Sequence, residues 1–395
     1  MYKHLFKLMW NRKRKNLLLT IEIFVSFIVL FFIGCFLIFA YDNYSKSLGF
    51  EPDNLKVVKI HLGSETQIFS DSLKIYHDAI QEALDGFPEI KGYTFSDFAV
   101  PYVMGSHNTM AEYGKHHEAV DSYFKDDNAA KVLGFHLISG RWFDKSDEDP
   151  SSKTAVITES MQKKFFGNEN PIGKQLSGIW EDKRKWKVVG VISDTKSKSD
   201  YLPPAQGLYI RMNQNFLKAA NTILIKVNPE AGADFDSRLN KALSSTVKTA
   251  NIEISSLNDN RSTKNKIVLI PAIIFITICG FLIFNVCMGL FGVLWYNINK
   301  RKSEIGLRKA VGASSKNILF HFVGEAWSLA TLAVFAGLFF AIQFPLLRVL
   351  DIAPIIYIKG ILFSIIFIYF IVFLCALYPS RQAAKVYPAL VLHEE

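Results

Sequence analysis

Four long apolar stretches stand out along the chain, at residues 17–41, 267–296, 318–346 and 359–379. Each meets the roughly 18–20 apolar residues that a helix needs to cross a bilayer. The first is broken only by Glu22, and Glu325 interrupts the third. The second is longer than one bilayer requires, which predicts a tilted span or one that projects beyond the lipid. Between the first two stretches, residues 42–266 switch between strand-like and helical patterning. Val57–Leu62, Thr154–Thr158, Lys185–Ser193, Asn221–Val227 and Ile252–Leu257 read as strands, and Ser70–Leu84, Glu159–Phe166 and Ala231–Val247 as helices. The pattern predicts an α-helical membrane protein with four transmembrane helices plus an α+β domain. Two subdomains are expected in that domain, because strand–helix–strand order at its two ends brackets a more irregular insert.

Charge refines this layout. The net charge of +9 would suit a nucleic-acid binder, but residues 42–266 hold 29 basic and 30 acidic side chains, and the rest of the chain 16 against 6. The excess therefore flanks the apolar runs, which is a topology signal and speaks against nucleic acid as a partner. Lys3, Lys7, Arg12, Lys13, Arg14 and Lys15 precede the first span. Lys300, Arg301, Lys302, Arg308, Lys309 and Lys316 lie between the second and third, and Arg381 and Lys385 follow the fourth. The connection at 347–358, with Arg348 and Asp351, is short and nearly neutral. The positive-inside rule then places the N-terminal segment 1–16, the loop 297–317 and the tail 380–395 in the cytoplasm of a bacterial cell. Residues 42–266 are expected on the far side of the inner membrane. Phe32-Ile33-Gly34-Cys35 resembles a lipoprotein cleavage site, yet the apolar run continues through Phe36–Ala40, so an uncleaved span is expected. All four cysteines (Cys35, Cys279, Cys287 and Cys375) fall inside apolar runs, where they act as small hydrophobes.

Several constellations in the polar region resemble chemistry without supporting it. Gly167–Lys174 has the look of a phosphate loop, but five residues separate its glycines where four are required, Gln175 replaces the magnesium-binding hydroxyl, and the loop follows a helix. With no other Walker-type match, the chain is expected not to hydrolyse ATP. His107, His116 and His117 lack a ligand spacing and read as a solvated loop. Asp144, Asp147, Glu148 and Asp149 do not fit a calcium loop and read as a hydrated turn. Neither a resident metal nor a cofactor is expected.

The most specific segment is 299–316, NKRKSEIGLRKAVGASSK. It reads as a short helix with Ile305, Leu307, Ala310 and Val311 available for packing, Gly312 as its stop, and Ser314 or Ser315 as the cap of the next helix. A basic tether to anionic lipid would need only the cations. Here the chain resembles the MacB-type, FtsX-like permeases of the ABC transporter superfamily (type VII). The resemblance rests on SEIGLRKAVGAS at 303–314, GRWF at 140–143, TAVITESMQKKFFGNENPIGKQL at 154–176, WKVVGVISD at 186–194 and YPSRQAAKVYPALVLHEE at 378–395.

The resemblance implies a MacB-like periplasmic core domain and a transmembrane subunit that relays the work of an ABC ATPase, which binds the ATP and magnesium. With sixteen residues ahead of the first span, the ATPase is expected on a partner chain and the permease to be half-size. A single copy of the unit implies a homodimer or a heterodimer with a similar half. The family's coupling helix maps onto Glu304, Ile305, Gly306, Leu307, Arg308, Lys309, Ala310 and Gly312. Ile305 and Leu307 are expected to anchor on the ATPase, with Arg308 and Lys309 facing its acidic groups. Ala333, Gly337 and Ala341, four apart, and Gly289 with Gly292 are candidate helix-packing positions. Glu22 and Glu325, both near the cytoplasmic side, are expected to form structural ion pairs rather than a proton path. Two functions fit: efflux or extraction of a periplasmic or outer-leaflet substrate, and regulation of an extracytoplasmic hydrolase or sensor. A periplasmic adaptor or hydrolase and membrane lipids complete the expected partners.

Overall fold

The computed structural model describes residues 13–62, 71–103, 107–148, 153–181, 185–347, 349 and 352–384. Lys3, Lys7, Arg12, Asp149, Arg348, Asp351 and the tail from Lys385 lie outside the described residues. Packing divides the chain into a helical unit, Met1–Tyr41 with Leu269–Glu395, and a head, Asp42–Val268.

The helical unit follows from the apolar runs, since a backbone in hydrocarbon must satisfy its own hydrogen bonds. It is built from α1 (Lys13–Tyr44) and α7 (Leu257–Lys300), whose segments 42–44 and 257–268 belong to the head, with α8 (Lys302–Ala310), α9 (Ser315–Ala341), α10 (Gln343–Leu347) and α11 (Pro354–Ala384). Among the described residues, four helical segments are long and apolar enough to cross a membrane. Small residues set how closely they approach. A Cβ on Gly337 of α9 would stand 2.2 Å from the Phe27 ring of α1, and one on Gly360 of α11 would stand 2.4 Å from Cys35 Sγ. Ala333 and Ala341 are fully buried in the same core as Phe27. Gly289 faces Leu19 and Glu22, whereas a Cβ on Gly292 would meet open space. The spans are covered unequally: half of the first lies buried, but only 11% of the second. Pro271 sits inside α7, which starts at Leu257, a residue expected to close the preceding strand.

Among the described residues, the head is built on one eleven-stranded sheet ordered β11-β1-β10-β2-β4-β9-β6-β8-β5, with β3 on β4 and β7 on β8. The strands are β1 (Leu55–Leu62), β2 (Ile90–Ser96), β3 (His107–Tyr113), β4 (His116–Lys125), β5 (Leu137–Gly140), β6 (Lys153–Thr158), β7 (Gln175–Leu176), β8 (Trp186–Ile192), β9 (Gly207–Arg211), β10 (Thr222–Val227) and β11 (Ala250–Ser256). Its helices are α2 (His77–Asp85), α3 (Ala129–Leu133), α4 (Glu159–Phe166), α5 (Gln214–Ala219) and α6 (Phe235–Thr246). The two chain ends of the head supply one half of the sheet: β1, β2, β10 and β11 pair antiparallel and bury Ile80, Leu84, Leu239 and Leu243 from α2 and α6. The insert supplies the other half, with β4–β9 and β6–β8 parallel and Met161 and Phe165 of α4 beneath them.

In the sheet the two halves are joined through β2 and β4, which pair at Ser96 with Lys125. That seam is polar. Lys125 Nζ is buried and donates to Ser96 Oγ (2.6 Å), Ala99 O (3.0 Å) and Asp97 Oδ1 (3.2 Å). Burial would raise the Asp97 carboxyl, but Lys125, His107 and the Phe124 amide outweigh it and hold the group below its usual range.

Two expectations for the head are corrected. The histidine segment is a β-hairpin, with Tyr113 paired to His116 across a turn in which Gly114 has φ +60°. His107 is half-buried in it, its Nε2 3.2 Å from Asp97 Oδ2, and His117 bonds Glu112 at 2.7 Å. The insert is likewise regular rather than irregular. In the Gly167–Lys174 turn, Gly173 N donates to Val188 O, so that amide serves β8 pairing. Asp147 is clasped by both terminal nitrogens of Arg141, at 2.6 and 2.8 Å.

Candidate coupling site

The residues that join α7 to α9 form a compact elbow. Arg301 follows the end of α7 and stands as the residue before α8. At the other end Gly312 takes φ +99°, a conformation that a side chain resists, and Ala313 N closes back on Arg308 O at 2.9 Å. Ser314 then caps α9, its hydroxyl accepting from Asn317 N at 3.2 Å. A nine-residue helix is too short to persist on its own propensity, so it must be held by packing.

Two contacts hold it. Ile305, 2% exposed, packs with Ile298 of α7 and Ile318 and Phe322 of α9. Arg301 Nη1 bonds Glu325 Oε1 at 2.9 Å, both side chains about 15% exposed or less. His321 Nε2 lies 3.7 Å from the same oxygen, one turn earlier on α9. Glu325 thus ties the start of the short helix to the span that follows it.

The outward face is different. Leu307 is 57% and Val311 82% exposed. Arg308 is also exposed and pairs with Glu304 one turn back, at 2.5 Å. Ala310 is exposed, and Gly306 is buried beneath the helix. The expectation that Ile305 reaches outward is therefore corrected: its position on the helix turns it onto Ile298 and Ile318, and Leu307 with Val311 forms the apolar outer surface. Val311, expected to pack, is the most exposed of the set. The sequence marks Glu325 for an ion pair but not its partner, because Arg301 lies 24 positions away. Glu22 lies elsewhere, with Oε2 near Gly289. Among the described residues no cluster of His, Cys, Asp or Glu is arranged to hold a metal ion.

Helices of spanning length and a mixed α/β sheet domain in one chain define a membrane protein that carries a globular domain. Residues 40–241 match the MacB-like periplasmic core domain, and residues 268–388 match the FtsX-like permease C-terminal family. The chain belongs to the MacB-type, FtsX-like family of ABC transporter permeases, and is a membrane protein with an extracytoplasmic domain. Among similar proteins is the macrolide export ATP-binding/permease protein MacB of Bdellovibrio bacteriovorus, 23% identical over 282 residues, 65% of this chain and 41% of that protein. Another is the pyoverdine export ATP-binding/permease protein PvdT of Pseudomonas aeruginosa, 25% identical, covering 54% of this chain and 33% of that protein. The chain thus spans less than half the length of these relatives. The crystal structure of the periplasmic region of MacB from Actinobacillus actinomycetemcomitans is 22% identical over 54% of this chain and 92% of that one, with a TM-score of 0.40.

Proposed function

We propose that this chain is the permease subunit of a MacB-type transporter, which takes up the work of ATP hydrolysis at residues 302–311 and passes it to the head as motion. The observation that carries this reading is the two-sided character of α8. Its inner face is fixed by Ile305 and by the Arg301–Glu325 pair, while Leu307 and Val311 remain exposed beside Arg308. A docking helix needs that combination: the outer face supplies apolar contact and charge to a partner, and the inner face makes the helix move with the spans. The partner is an ABC ATPase that binds ATP and magnesium. Gly306 lets the helix lie close to its neighbours, Gly312 ends it, and Lys309 and Ala310 border the contact.

The assembly is a dimer of permease halves with its ATPase. The work drives efflux or extraction of a substrate from the far side of the membrane. Two relatives are named for macrolide and for pyoverdine export, so a common engine serving different cargo fits this chain. The test is co-purification. Changing Leu307 and Val311 together to Asp in the full-length protein is expected to abolish ATPase capture while leaving expression and thermal unfolding near wild type. Stoichiometric capture by that variant overturns the docking assignment.

A further inference from the structure

The loop between β8 and β9 holds a buried polar cluster. Asp200, 3% exposed, accepts hydrogen bonds from Tyr102 Oη (2.7 Å), Arg261 Nη2 (2.8 Å) and Nε (3.0 Å), and Asn265 Nδ2 (2.9 Å). Asn265 Oδ1 in turn accepts from the Asp200 amide (2.9 Å) and Ser199 Oγ (2.8 Å). Arg261 and Asn265 are four apart on α7, so they share one face of the first turns of that helix. Burial would raise the Asp200 carboxyl, but Arg261, Tyr102 and Asn265 together outweigh it and keep the group below the usual carboxylate range.

Lys196, in the same loop, is 1% exposed. Its Nζ donates to Asn43 O (2.5 Å), Lys46 O (2.8 Å) and Asp200 O (3.3 Å). Asn43 belongs to the last turn of α1, whose end carbonyls have no partner within the helix and favour a cation. Tyr44 stacks on Tyr201, their ring centroids 5.5 Å apart, and the Lys196 amide bonds Leu48 O at 3.0 Å. One short loop therefore holds residues 43–48 and 261–265, the parts of the head from which α1 and α7 continue into the apolar spans.

Such a joint could have been closed by apolar packing, which is often no less stable than a buried ion pair. Directed hydrogen bonds differ in fixing orientation, and apolar side chains slide where these do not. We propose that Lys196 and Asp200 are positioning residues that lock both helices to the head, so that a tilt of either reaches the sheet undiminished. This rests on the motion-relay reading of the preceding subsection.

The test uses the full-length permease with its co-purifying ATPase in lipid nanodiscs, and reads amide hydrogen exchange in the head with and without Mg-ATP. In the wild type, Mg-ATP is expected to change exchange in the head strands. Arg261→Ala, whose side chain is partly exposed, and Lys196→Met are expected to keep ATPase capture and hydrolysis. Both should reduce that nucleotide-dependent change by at least about fivefold, the lower end of ordinary coupling between sites. Arg261→Lys should restore part of it. A response of wild-type size in both variants overturns the lock alone. Absence of any response in the wild type overturns the motion relay, and the lock falls with it. Should Lys196→Met not fold, Arg261→Ala decides, with its thermal unfolding as the control for simple destabilisation.

Discussion

The short helix α8 and the β8–β9 loop both attach to the ends of long helices, yet they spend their polar groups in opposite ways. At α8 the Arg301–Glu325 pair and Ile305 face inward, while Leu307 and Val311 stay exposed. At the head loop, Asp200, Lys196, Ser199 and Thr195 are all buried and turned inward. On the proposed reading this contrast separates two tasks: a docking surface keeps apolar side chains exposed for a partner, whereas a joint that passes on motion turns its polar groups inward.

The largest effect should come from breaking the inward junction. Asp200→Asn leaves Arg261 facing a neutral amide and should cost about 3–5 kcal/mol of head stability at neutral pH, as loss of one partner of a buried pair does. Because the folded carboxyl lies below its ordinary value, that stabilisation is present above about pH 4 and is lost as pH falls through the folded value. Urea unfolding of the two proteins should therefore differ at pH 7 and converge in acid. A gap that persists unchanged below about pH 3 would show that charge is not what Asp200 contributes.

A middle effect is expected in the helical unit, where Gly337→Ala would drive a methyl into the Phe27 ring. Overpacking of this kind costs roughly 1–3 kcal/mol. Thermal unfolding in detergent should fall accordingly, and Phe27→Leu in the same chain should recover much of the loss. The smallest effect belongs to the open junction. Glu304→Gln removes a pair on an exposed helix face, worth about 0.2–0.5 kcal/mol, so unfolding should barely move. A loss comparable to that of Asp200→Asn would mean that α8 is not an open surface.

Legibility in the sequence followed the range of the interactions. The spans could be read because length and apolarity are local properties, and α4 because Met161, Phe165 and Phe166 recur at helical spacing. The hairpin of β3 and β4 escaped because its buried positions include Asp121, Ser122 and Lys125, which break the expected alternation. The lock escaped for a different reason. Asp200 is 61 and 65 residues from Arg261 and Asn265, and Lys196 is 153 from Asn43. No local pattern encodes such partners. Within the elbow, the sequence showed the short helix but not which side of it each residue occupies, because the flanking Ile298, Ile318 and Phe322 decide that.

The unbroken course of α7 has a mechanical corollary. Its 44 residues make a rod of about 66 Å at 1.5 Å per residue. Swinging such a rod through about 5° carries its far tip about 6 Å, roughly one full helical turn. Pro271 stands about a third of the way along and leaves the carbonyl of Ile267 without its amide partner, so flexure concentrates there. The helix is thus a long arm with one compliant point, stiff against compression along its axis and yielding sideways at a position that a single residue sets.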